Sequence, residues 1–303
     1  MTPAGAEAAK AAKAANAGNA ANAGNAVGRG SPSSSGPLLR ARRLSMRFGG
    51  LLAVAELDLD VRAGEVLGVI GPNGAGKSTI FNMIAGALAP TSGTLEFDGQ
   101  SLQGVPAHGF AARGIMRTFQ HNKPFASMSV RENVMVGMHT RLGHSLWRVL
   151  AGTRIAAQAE REAAQRAEDW VDFVGLSEWR NAEVGTLSFG QGRLLEIARG
   201  LAAEPRLMLF DEPAAGLTSG ECDRLGTIVR QIAQRGIAVL LIEHDMRFLM
   251  ALADRVVVLN FGRKIAQGTP AEVRADPAVV VAYLGNLSAM DPAPVAAGAP
   301  TRA

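Results

Sequence analysis

Residues 66–79, VLGVIGPNGAGKST, constrain this chain more than any other stretch. The first five are apolar or glycine, the pattern of a strand buried on both faces. Gly71, four residues, and then Gly76-Lys77-Ser78 follow. That spacing is the phosphate-cradling loop between a strand and a helix. Its residues are Gly71, Pro72, Asn73, Gly74, Ala75, Gly76, Lys77, Ser78 and Thr79. The chemistry accounts for the residue types. Gly71, Gly74 and Gly76 let the backbone turn its N–H groups inward onto phosphate oxygens. A helix starting near Lys77 aims its positive end at the same anion. Lys77 puts a point charge on the outer phosphates, and the Ser78 hydroxyl suits magnesium.

A buried strand needs a core around it. The chain has 303 residues, 48% of them hydrophobic, which suffices for one or two domains. The net charge is +4. Lys10, Lys13 and Arg29 against Glu7 supply +2 of it within residues 1–37. The body is therefore nearly neutral, which gives no ground for a nucleic-acid surface. Cys222 is the one cysteine, so no intrachain disulfide or thiolate metal site is expected. No run of 18 apolar residues is present to span a bilayer, and the N-terminus lacks a hydrophobic signal core. A reducing cytoplasm is the expected location.

Residues 1–37 are Ala, Asn, Gly and Ser with almost no large apolar side chain, and are expected to form a disordered tail. Two strands are expected at 38–47 and 53–61. In the second, Leu57, Leu59 and Val61 share one face, with Asp58 and Asp60 opposite. Phe48 sits between these strands; as a residue it fits ordinary packing or a place under an adenine ring. A helix is expected at 80–88, strands at 94–97 and 115–119, and Gln120 at the end of the latter. Residues 121–200 differ in character and are expected to be helical. Ile155, Ala159, Ala163, Ala167, Trp170, Val171 and Val174 mark one helix face there. Leu187-Ser188-Phe189-Gly190-Gln191 precedes another helix, so the Ser188 hydroxyl and local N–H groups can face an anion. Apolar strands at 207–210 and 237–242 flank a helix at about 220–235. A hairpin at 256–268 and two short helices ending near Leu284 close the body. Residues 286–303 are Ala- and Pro-rich and expected to be mobile.

Strands alternating with helices predict an α/β fold with a mainly parallel sheet covered on both faces. Three apolar strands end in polar clusters: the phosphate loop, Asp211-Glu212 and His244. In an open parallel sheet the carboxyl ends of strands face one crevice, so these groups can converge. Asp211 is then placed to hold magnesium, and Glu212 to take a proton from an attacking water. His244 can hydrogen-bond the terminal phosphate. An acidic pair at a helix N-terminus, and a capping or packing histidine, remain open for the same residues.

Gly71 to Thr79, Gln120, Leu187 to Gln191, Leu209 to Pro213 and His244, in this order and spacing, resemble the nucleotide-binding domain of an ABC transporter. The resemblance covers about residues 38–285. It implies a P-loop NTPase core, an N-terminal antiparallel β subdomain and an inserted helical subdomain at about 121–200. It implies ATP and Mg2+ as ligands and Phe48 as the adenine-stacking aromatic. Gln120 would meet magnesium and water and sense the membrane subunit. Ser188, Gly190 and Gln191 would belong to the signature that binds the γ-phosphate held by an opposite protomer.

Shorter segments narrow the likeness. Phe48-Gly49-Gly50-Leu51, Arg117-Thr118-Phe119-Gln120, Glu132-Asn133-Val134, Ala215-Gly216-Leu217 and Ala282-Tyr283-Leu284-Gly285 resemble the ATPases of branched-chain amino acid importers, of the LivG type. Urea and amide importers share much of this pattern. Phe189 replaces the common signature glycine, as is typical of the subfamily, and Thr218 stands where many relatives carry Asp. The implied partners are transmembrane permease subunits, a second and different ATP-binding subunit, and indirectly an extracytoplasmic solute-binding protein. The implied place is the cytoplasmic face of the inner membrane. An ATPase of a lipid or polysaccharide exporter stays open as an alternative. So does a soluble ABC ATPase of repair or translation, although those usually carry two ATPase halves or a long coiled coil. Intact Glu212 and His244 count against a merely regulatory subunit.

Overall fold

Four apolar runs of the sequence, at 66–70, 207–210, 237–242 and 256–259, become neighbouring strands of one sheet. The computed structural model describes residues 36–118, 124–138 and 154–283, with all of their side chains except those of 154–157, 159 and 160. Gln120 and both expected tails, apart from Gly36 and Pro37, lie outside the described residues.

The described chain opens with an antiparallel pair, β1 (Leu39–Phe48) and β2 (Leu51–Val61). In β2 the expected alternation holds: Leu57, Leu59 and Val61 are buried while Glu56 and Asp58 are exposed. The buried β3 (Val66–Ile70) leads into α1 (Lys77–Ile84). Next come β4 (Ser92–Phe97) and β5 (Gln100–Ser101), which join the early pair in a four-stranded sheet ordered β2-β1-β4-β5. The short helix α2 (Ala107–Ala112) and β6 (Ile115–Arg117) follow.

The helical region contributes α3 (Val130–Gly137), α4 (Arg154–Phe173) and α5 (Phe189–Ala202), which pack on one another. Ala163, Ala167 and Val171 of α4 are buried, as the helical periodicity predicts. The chain then returns through β7 (Leu207–Asp211), α6 (Ser219–Gln234), β8 (Ala238–Ile242), α7 (Met246–Leu252), β9 (Arg255–Asn260) and β10 (Arg263–Gly268). Two short helices, α8 (Pro270–Ala275) and α9 (Pro277–Tyr283), finish it.

The second sheet has the order β10-β9-β3-β8-β7-β6, parallel except for the β9–β10 hairpin. Its strands separate two apolar cores. Met208, Phe210, Val239 and Leu241 face the helical core. Leu207, Leu209, Leu240 and Ile242 face the core shared with α1 and the antiparallel sheet. Both faces being covered explains why these strands read as continuous apolar runs. The expected α/β fold, with a mainly parallel sheet, an antiparallel β subdomain and an inserted helical part, is the one observed.

Three local expectations need correction. The helix after the phosphate loop starts at Lys77, as expected there, but stops at Ile84 rather than running to residue 88. Gly86 takes φ +75°, and the Gly86 and Ala87 N–H groups return to the Met83 and Asn82 carbonyls, the hydrogen-bond pattern of a left-handed helix stop. The strand at 115 ends with Arg117. Two short helices, α2 and α7, have no counterpart among the expected elements.

Candidate functional site: a nucleotide cleft at the strand ends

α1 begins without a side chain to cap it. Its N-cap is Gly76 at φ +99°, with no side-chain cap bond and no acidic residue in the first turn. A Cβ at position 76 would come within 2.7 Å of the Ala53 carbonyl oxygen, so only glycine brings the loop this close to β2. The first N–H groups of a helix have no partner within it. Here they are left facing an anion. Lys77 is 7% exposed, and its Nζ donates to the Gly71 and Pro72 carbonyls at 2.6 and 3.0 Å. Burial presses the ammonium below its ordinary pKa, while the Glu212 carboxylate opposes that shift.

The cleft above this loop has a volume of about 540 Å³. It brings together Phe48, the loop from Asn73 to Thr79, Glu212 and His244, residues far apart in sequence. Glu212 follows the last residue of β7 and adopts φ +50°, a conformation that non-glycine residues rarely take. Such strain is typical of residues held for function. Its Oε1 lies 2.9 Å from His244 Nε2. Carboxylate and imidazole therefore form one unit at the mouth of the cleft.

Asp211 is 9% exposed and accepts a hydrogen bond from Arg117 at 3.1 Å. Burial pushes its carboxyl up, Arg117 holds it down, and Glu212 pushes it up again. Arg117 also donates to Asn82 Oδ1 at 2.7 Å and lies over the Phe81 ring. It thus ties the strand before Gln120 to the helix after the phosphate loop. Ser78 lines the cleft, whereas Asp211, bonded to Arg117, is not among its lining residues; both carry hard oxygen donors of the type that suits Mg2+. No group of three or more metal-ligating side chains exists among the described residues. The donor set fits a magnesium ion that takes the rest of its shell from phosphate and water.

The Ser188 segment stands apart from this cleft. Ser188 is the N-cap of α5 in a complete capping box. Its Oγ accepts from Gln191 N at 3.2 Å, and Gln191 Oε1 accepts from Ser188 N at 2.8 Å. Gly190 is buried against Glu221, whose carboxylate a Cβ there would overlap. Thr218, at the position expected to carry Asp, is the N-cap of α6, with its hydroxyl accepting from Glu221 N. Threonine and aspartate are both good N-caps, so the substitution keeps the helix start. Phe189 is exposed, with Arg193 over its ring.

Sequence reading gave no role to three residues of this region. Arg117 was noted only as part of a short segment. Glu243, 4% exposed, accepts from the Ala214 N–H at 2.7 Å and the His244 N–H at 3.2 Å. It ties the segment after Glu212 to His244, and burial raises its pKa. Its one sequence signal was a carboxylate ending an apolar run. Burial pushes the Tyr283 hydroxyl up to about 12, against a backbone hydrogen bond from Gly71. That links the C-terminal segment to the phosphate loop.

Comparison with known proteins agrees with this geometry. The family model described as ABC transporter matches residues 54–215. A second, described as branched-chain amino acid ATP-binding cassette transporter, matches residues 263–286. The high-affinity branched-chain amino acid transport ATP-binding protein BraF of Pseudomonas aeruginosa is 44% identical over 253 residues, covering 83% of this chain and 99% of its own. The corresponding LivG of Escherichia coli is 42% identical over the same length and coverage. A solved ATP-binding cassette of an ABC transporter, MJ1267 in its ADP conformation, superposes with a TM-score of 0.72 at 30% identity, covering 83% of this chain and all of that one. No helix among the described residues is long and apolar enough to cross a membrane. A loop built for phosphates, a strained carboxylate beside it and these likenesses agree: the chain belongs to the ABC transporter family, as one of its ATP-binding, ATP-hydrolysing cassettes.

Proposed function

We propose that this cassette powers the import of branched-chain amino acids through a membrane permease. The observation that carries the ATPase part is the convergence of the phosphate loop, Glu212 and His244 on one cleft. The substrate class is supported by the likeness to BraF and LivG and by the subfamily model over residues 263–286.

In this reading ATP enters with its phosphates on the loop. The uncapped N–H groups of α1 and the Lys77 ammonium take up charge that builds on the γ-phosphoryl oxygens. Ser78 and Asp211 would hold a magnesium ion, which would supply charge neutralisation at the phosphates. Glu212 takes the proton of the attacking water, and His244 fixes the Glu212 carboxylate and meets the terminal phosphate. Phe48 stacks on the adenine. Gln120 would serve as a ligand for metal and water and report on the permease.

Ser188, Gly190 and Gln191 close a nucleotide held by a second ATP-binding subunit, a homologous but different chain. ATP then joins the two subunits, and its hydrolysis lets them part. The partners are the permease subunits and, through them, a solute-binding protein; no nucleic acid is involved. The place of work is the cytoplasmic face of the inner membrane. Residues 38–285 form the ATPase domain.

The test is uptake of labelled leucine by cells lacking the gene. The wild-type gene should restore uptake and the Glu212→Gln gene should not. Normal uptake in the deletion strain would remove the transport reading. Equal rescue by both genes would remove the catalytic one.

A further inference from the structure

We propose that Phe261, on the turn between β9 and β10, forms a second wall of the base subsite, so that adenine is held against it as well as against Phe48. The proposal rests on the ATPase reading above and names a residue that neither the motifs nor the resemblance singled out.

The first observation is where the exposed apolar side chains lie. Nine large ones are exposed among the described residues. Four of them, Phe48, Leu51, Leu52 and Phe261, line the nucleotide cleft. Single exposed apolar residues need no explanation, but a cluster around one cleft does. Phe261 is the most exposed of the nine, at 86%.

The second observation is how that ring is held. Phe261 adopts φ +45°, which side-chain-bearing residues avoid. A bare aromatic in a strained turn gains nothing from folding alone. The turn is nonetheless pinned. Gly262 N donates to the Ala75 carbonyl of the phosphate loop at 3.0 Å, and Ala55 N donates to the Gly262 carbonyl at 2.9 Å. The residue after Phe261 is therefore bonded both to the loop that receives the phosphates and to the strand that follows Phe48. Phe261 is fixed relative to both ends of a bound nucleotide.

The chemistry selects the occupant. One end of the cleft presents an ammonium and unpaired N–H groups; the rim presents aromatic and aliphatic surface. A nucleotide has that polarity, with an anionic phosphate end and a flat apolar base. The volume of about 540 Å³ is within the range of small-molecule sites. Aromatic rings stack on bases through their π-faces.

The test compares MgATP with magnesium tripolyphosphate, which has the phosphates and no base. Dissociation constants are measured by calorimetry for wild type, Phe261→Ala and Phe261→Trp. Phe261→Ala should weaken MgATP about tenfold, as expected for one lost base stack, and leave tripolyphosphate unchanged. Phe261→Trp should keep ATP affinity, and its added indole emission should change with ATP but not with tripolyphosphate. Unchanged ATP affinity in Phe261→Ala, or equal losses for both ligands, overturns the proposal. So does an added emission in Phe261→Trp that is indifferent to ATP, which covers the case of a poorly folding alanine variant. If Phe261→Ala loses only ATP-dependent self-association in sedimentation, the ring faces a second copy and the subsite is refuted. Failure of wild type to bind ATP would instead remove the ATPase reading itself.

Discussion

Two helix N-termini in this molecule are suited to anions, and they are finished differently. α1 starts at Gly76, with no side chain bonded to its first turn. α5 starts at Ser188, whose hydroxyl and Gln191 close a complete capping box. The first end is left open by its own sequence and sits beside Lys77, Glu212 and His244. The second has satisfied part of its hydrogen-bonding capacity internally and stands outside that cleft. Ser188 Oγ acts as an acceptor in the box, so its own proton remains available to an oxygen from elsewhere. The difference teaches which site works alone. The phosphate loop needs a ligand to satisfy its backbone; the Ser188 turn is stable without one and gains only when a partner brings a phosphate to it.

The largest effect is expected from Glu212→Gln, which keeps shape and removes the base. ATP turnover should fall about 10²-fold or more while ATP still binds, as measured by steady-state phosphate release and by calorimetry. Turnover within twofold of wild type would take the base assignment away. Lys77→Ala should come next, with ATP affinity reduced about tenfold or more, because a partly buried charge on the phosphates is lost. An unchanged dissociation constant at fixed magnesium and salt would mean that the loop does not receive phosphate.

The contrast itself is sharpened by Ser188→Arg in the Glu212→Gln background. This change should abolish the ATP-dependent dimer seen by sedimentation with the genomic partner subunit, yet leave ATP binding to the single chain within twofold. A surviving dimer rules out a shared site. The smallest effect belongs to Ser188→Ala. Losing the cap should cost about 1 kcal/mol of stability in urea unfolding and leave ATP binding by the single chain unaltered. No loss of stability would mean that the box contributes nothing to holding α5.

Much of this was legible because its signals are local. The phosphate loop announces itself through glycine spacing and a Lys-Ser pair between a strand and a helix. The β2 alternation and the α4 apolar face follow from periods of 2 and 3.6 residues. What stayed hidden depends on contacts across the chain. Arg117 and Asp211 are 94 positions apart, and nothing in either segment says that they pair. Glu243 is, in sequence, only a carboxylate ending an apolar run, and nothing local says that it accepts from the Ala214 and His244 N–H groups.

The alternating α/β elements and the anion-binding loop are written in local sequence, and so was the expectation that Glu212 and His244 share a crevice with that loop. Strand ends in a parallel sheet point one way, so their polar clusters could be expected together. The strand order, by contrast, came from long-range packing, which sets β3 between β8 and β9 and so brings Glu212 and His244 to the loop. That packing also decided that β4 and β5 join the early pair, and that the β9–β10 turn is pinned beside Ala75. The physical reason is the same in each case. Periodicity and turn chemistry act within a few residues, whereas pairing between distant strands is fixed by how the two apolar cores close around the sheet.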